Sequence, residues 1–189
     1  MILHTSARKF VLAVHLTTSV AWLGAVAAYV PLDLTVATSS DPTTVRGAWT
    51  AMGLIATSIL VPLALASLIT GILISVGTRW GLIRHWWVVV SLVLTVLAVT
   101  VLMVERGVIT ASAAIATAAA TMPEQLLALP PTLPHSIGGL AILLVVQWLN
   151  VYKPQGLTPY GWRRQEEERA RLQARSWARI VATAETDET

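Results

Sequence analysis

The 189-residue chain is 55% hydrophobic and only 12% charged, with a mean hydropathy of +0.68; this excludes an ordinary soluble domain, and the length suits one domain. It has no cysteine, so disulfides, Cys-ligated zinc and thiolate chemistry are excluded as well. The pI of about 9.8 is no sign of nucleic acid, because the basic residues sort to one side of the apolar runs, which a nucleic-acid stripe does not do.

The first apolar run, Phe10 to Leu32, is uncharged between Lys9 and Asp33. It exceeds the roughly 20 residues that a bilayer core requires. Arg8-Lys9, the apolar run and Ala25-Val26-Ala27 have the outline of a cleavable signal, but the run continues past that site and carries His, Thr and Ser in its middle. It therefore reads as a retained span over about 9–32, ended by Pro31 and Asp33, followed by a Ser, Thr, Asp and Pro-rich loop with Arg46 as its one basic residue.

A second uncharged stretch, Gly47 to Thr78, is longer than one straight crossing, which predicts a helix over about 48–78 that is tilted, extended or kinked at Pro62. Within it Ala64, Ser67 and Gly71 form a stripe of small residues on which another helix can approach closely. Arg79 and Arg84 bracket a tight turn, and the third span follows over about 85–105, closed by Glu105-Arg106. Residues 107–133 are the longest connection, an Ala- and Thr-rich segment read as a surface helix or ordered spacer, because Pro123, Pro130 and Pro131 oppose another crossing. Pro134 opens the fourth span, about 134–153, at a first-turn position that needs no N–H.

These spans make a transmembrane domain over 1–154, and residues 155–189 form a cytoplasmic tail. Ala170, Ala174, Trp177 and Val181 fall on one stripe among arginines, which predicts a basic amphipathic helix on anionic lipid, ending in a disordered acidic AETDET. Residues 8–9, 79–84 and 153–179 hold eleven of the thirteen Lys and Arg residues, so both termini are expected in the cytoplasm. Trp80, Trp86, Trp87 and Trp148 then fall at the inner interface, with Trp49 and Tyr29 at the outer. The expected fold is an all-α integral membrane protein, a four-helix bundle in a bacterial cytoplasmic membrane.

Of the four histidines only His15 lies well inside a span, on one helical face with Ser19 and Trp22. A polar group at that depth faces protein or a wet cavity. His15 is six residues from Lys9, Ser91 seven from Arg84, and Gln147 six from Lys153, with Thr70 and Ser75 straddling the same level. At about 1.5 Å rise per residue these side chains share roughly one layer. Two ideas follow: a structural polar layer in which His15 hydrogen-bonds its neighbours, or a haem or metal ligated by His15 with Trp22, His85, Ser91 and Gln147 around it. His85 sits shallower than His15 and His135 at the opposite end, so single ligation by His15 fits better than a bis-histidine pair. No carboxylate lies inside the assigned spans, and no phosphate loop, catalytic triad or nucleotide fingerprint is present.

The segment HLTTSVAWLG, His15 to Gly24, resembles the first helix of a bacterial membrane superfamily that contains the copper-resistance protein D domain and the four-helix protoporphyrinogen oxidases. The runs GTRWGLIRHWWVVVSLVLT and VYKPQGLTPYGWRRQ are similar to an uncharacterised branch of it. The resemblance implies a four-helix membrane fold and haem b at the histidine matching His15. In the oxidase branch a third-helix lysine is required as well; Ser91 stands at the matching position here, so the oxidase activity does not carry over. The reading adopted is a non-catalytic accessory or structural membrane component, with no catalytic residue assigned, whose partners are the bilayer, a membrane protein or a second copy of the chain, and not nucleic acid. The alternative is a haem-binding or redox protein using His15.

Overall fold

The computed structural model describes residues 4–78 and 81–187, with side chains as far as residue 179. All of its regular elements are helices, and four helical stretches are long and apolar enough to cross a membrane. Expectations about Trp80 and Val181 lie outside the described side chains.

The first helix, α1 (Thr5–Thr38), does not stop at Pro31. Its buried residues Trp22, Val26, Tyr29 and Asp33 recur at helical spacing, so one packed face carries the helix through the proline and on for more than a turn beyond Asp33. After a three-residue turn, α2 (Pro42–Ile55) begins with Asp41 as its N-cap, accepting from the backbone N–H of Thr43 at 3.2 Å and Thr44 at 3.0 Å. Threonine and backbone bonds hold the Asp41 carboxyl below its ordinary range. A π-helical turn, Ala56–Leu60, then leads into α3 (Val61–Gly77). The cause is Pro62: it has no N–H, and its ring crowds the carbonyl four residues back, inside that turn. The irregularity predicted at Pro62 therefore sits just before it.

The fourth helix, α4 (Trp86–Thr117), absorbs residues 107–117 of what reads in sequence as a surface helix or spacer. Ile109, Ser112 and Ala116 are buried on it, and the short α5 (Pro123–Leu127) seals the end with Leu126 fully buried. A Cβ at Gly53 would lie 2.6 Å from that of Ala113, so α2 and α4 meet there at nearly backbone distance. Arg46 reaches across to donate to the carbonyls of Ala116, Ala118 and Thr121, where α4 ends. Helix α6 (Leu133–Tyr152) carries Pro134 in its first turn as expected and closes on Lys153 in a left-handed conformation, φ 46°. Helix α7 (Pro159–Asp187) is longer than predicted and runs into the acidic end.

Helices α1 and α4 pack on opposite sides of the assembly, each against the α2–α3 run and against α6. The densest core lies at the distal end, away from the termini, around Trp22, Trp49, Met52, Ala56 and Leu60. Trp49 and Tyr29 are buried there, and Trp87 is buried at the start of α4, whereas Trp86 and Trp148 are exposed.

Candidate functional sites

The predicted small-residue stripe on α3 is the surface that receives α1. His15 Nδ1 lies 3.1 Å from the Ser67 carbonyl and 3.2 Å from Thr70 Oγ1, and the ring stacks over Gly71, where a Cβ would come within 3.0 Å of Cε1. Ser19 Oγ meets Ser67 Oγ at 2.8 Å. His15 is thus tied to the second apolar stretch, not to the third or fourth as the layer required. Ser91 is buried with its hydroxyl unpartnered, and Gln147 is half-buried on α6. Trp22, on the same helix face, turns into the distal core, and His85 sits at the proximal end, ahead of α4. His15, Trp22 and His85, predicted around one site, are therefore set apart along the bundle.

The Ser67 carbonyl can only accept, so His15 Nδ1 donates to it and Nε2 is left as the lone-pair nitrogen, the arrangement that metal-bound histidines commonly show. No cluster of three His, Asp or Glu side chains forms elsewhere among the described residues.

A second centre, at the distal end, was hidden in sequence. Asp33 is fully buried and accepts three hydrogen bonds: Thr132 N–H at 2.9 Å, Thr132 Oγ1 at 2.9 Å and Ser136 Oγ at 2.8 Å. It fastens the end of α1 to the start of α6, since Thr132 is the N-cap of that helix. Beside this knot a cavity of about 220 Å³ opens between α1, α4 and α6. Its floor is apolar, from Trp22, Leu60, Ala98 and Leu143. At its mouth Glu105 faces His135 Nε2 at 3.6 Å. Tyr29 borders the cavity; its hydroxyl is buried and near Thr132 but without a hydrogen bond of proper geometry. Gly138 and Gly139 of α6 border it with nothing within 4 Å of where a Cβ would stand. In chemical terms this is an apolar slot with one buried donor and one half-buried carboxylate.

At the proximal end α7 is docked by its first residues. Thr158 bonds back to Ile83 and Arg84 carbonyls and caps Gly161, whose missing side chain lets the helix touch the Arg84 backbone. Arg84 and Glu168 pair through two contacts, at 3.2 and 2.9 Å, which holds the glutamate carboxyl below its usual range. Beyond this tie the helix is exposed, with Leu172 and Trp177 standing out from it.

No protein-family model, curated protein or solved structure matches this chain.

Proposed function

We propose that the chain is a multi-pass protein of a bacterial cytoplasmic membrane, a four-helix bundle with both ends in the cytoplasm, and that it works by binding rather than catalysis. The observation that carries this reading is the distal cavity. A cavity of about 150 Å³ suffices for benzene, so about 220 Å³ holds a substituted ring or a short branched chain. The ligand class is a small, largely apolar alcohol, whose hydroxyl accepts from Tyr29 and donates to Glu105, or an amine, whose ammonium donates to Glu105; in either case the body lies against Trp22 and Leu143. Buried polar groups without partners select strongly for the molecule that completes them.

The test uses 2-phenylethylamine and 2-phenylethanol as probes on the purified full chain, read by thermal unfolding through tryptophan emission. A concentration-dependent rise in Tm is expected with at least one probe. Gly139→Leu, at a cavity-lining position where an added Cβ has nothing within 4 Å, is expected to abolish the rise, and Tyr29→Phe to weaken 2-phenylethanol binding about tenfold for the loss of one buried hydrogen bond. No rise with either probe, or an undiminished one in Gly139→Leu, overturns the binding reading.

The membrane reading rests on the four apolar helices and the sorting of basic residues. Reporters fused after residues 40 and 120 should both lie outside the cytoplasm; an inside signal at either position overturns the topology. The orientation of His15 favours a second reading, ligation of a haem or metal through Nε2. Its residues are His15 with Ser67 behind it, and such a group would supply redox chemistry. Chain purified from haem-replete cells should then show a Soret band that His15→Ala removes, whereas colourless protein leaves the binding reading alone in place.

A further inference from the structure

We infer that the proximal end carries a phosphate site, formed where α7 folds back against the 81–85 turn and the 153–157 segment, and that its natural ligand is the headgroup of an anionic glycerophospholipid. The site is a cavity of about 1210 Å³. Three cationic side chains line it, Arg84, Lys153 and Arg164; Arg84 is bridged to Glu168, and Arg164 lies 3.6 Å from Glu167 just outside the lining, so the cations outnumber the carboxylates by one. Helices α3 and α6 end at this cavity while α4 and α7 begin there, so helix-dipole contributions offset and the side-chain charges decide the sign.

An independent feature points to a bound acceptor. The Thr78 hydroxyl, on the cavity wall, is buried and has no hydrogen-bond partner. A phosphate oxygen accepts from it while the guanidinium and ammonium groups neutralise the charge, which is how basic pockets between spanning helices hold lipid headgroups. The wall is not wholly polar: Val76, Trp87 and Leu157 border the same space and continue into the exposed apolar surface of the helices. A diester headgroup with chains leaving along that surface fits both halves of the wall. Inorganic phosphate shares the polar half alone. The inference goes beyond the distal ligand, since no residue is common to the two cavities, and it needs the membrane reading only to name lipid as the source.

The experiment uses the purified, delipidated full chain. Native mass spectrometry is run with phosphatidylglycerol and with phosphatidylcholine, and thermal unfolding with inorganic phosphate. Retention of one phosphatidylglycerol, with phosphatidylcholine held more weakly, is expected. The double variant Lys153→Gln/Arg164→Gln should lose at least about tenfold in affinity, given roughly 1 kcal/mol per basic residue near a charged lipid. Thr78→Val, which alters no charge, should weaken binding by a smaller factor, and Arg171→Gln, outside the cavity, should not. Circular dichroism of the lipid-free variants separates loss of the site from loss of the fold. Stabilisation by inorganic phosphate without lipid retention assigns the same site to a soluble anion. Failure of both ligands, or an equal loss from Arg171→Gln, overturns the proposal, the latter by reducing it to diffuse attraction along α7.

Discussion

Replacing Asp33 with alanine is expected to lower the stability of the folded chain by about 3–5 kcal/mol, since three buried donors lose their acceptor at about 1–3 kcal/mol each and partly find others. The carboxylate is completely buried and serves three donors on the connection to α6 and on its first turn. In Asp33→Ala the Thr132 N–H and both hydroxyls lose their acceptor in a largely buried, mostly apolar surrounding. Asp33→Asn should recover most of the loss, because its carbonyl still accepts from Thr132 N–H and the hydroxyls can turn to accept from its amide. Thermal unfolding followed by tryptophan emission should show Asp33→Ala lowered by on the order of 10 °C, with Asn between it and the parent. An alanine variant within about 1 kcal/mol of the parent would mean that the three bonds are replaced by solvent and that the knot holds nothing.

That residue also shows where sequence reasoning stops. An Asp after an apolar run and a Pro is a sensible end of a span, since both features normally break or terminate one. What reversed the reading was packing from far along the chain: Asp33 is satisfied by Thr132 and Ser136, about a hundred residues away, and no local pattern announces that pairing. The same holds for residues 107–117. Their alanines and threonines look like a spacer, yet small residues are what allow α4 to approach Gly53 closely. The apolar stretches themselves, Pro134, the irregularity near Pro62 and the small-residue stripe were legible, because length, hydropathy and residue size act locally.

The candidate site was legible only in part. His15 was correctly singled out as needing a protein partner, and Thr70 stood at the right level. Depth alone, however, says nothing of azimuth, and Ser67 and Gly71 share a helix face that pointed at α1 all along. The signal that could have found this was already present: a stripe of small residues and a mid-span histidine are complementary shapes. The distal cavity had a fainter trace in Glu105 and His135, each read as the flank of a span, which together meet across α4 and α6.

The second large effect is expected at Arg46, which reads in sequence as an isolated loop cation. Its guanidinium donates to the carbonyls of Ala116, Ala118 and Thr121, so it adds side-chain donors to a helix end that the Ala118 N–H already closes on Ala114 and Ile115, with its positive charge at the negative end of the helix dipole. Ala116 is fully buried, and water does not readily take the place of the guanidinium there. Arg46→Ala should therefore destabilise by about 2–3 kcal/mol, the range for hydrogen bonds from a charged donor. Arg46→Lys keeps the charge but not the fork and should fall between, because one ammonium cannot span carbonyls on both sides of the helix end. Hydrogen exchange gives the local readout. Amides of residues 113–121 should lose protection in Arg46→Ala while those of α3 keep theirs, since α3 lies beyond the reach of this cap. Uniform loss of protection along all the helices would show instead that Arg46 supports the whole fold, and unchanged protection at 113–121 would show that α4 ends there without its help.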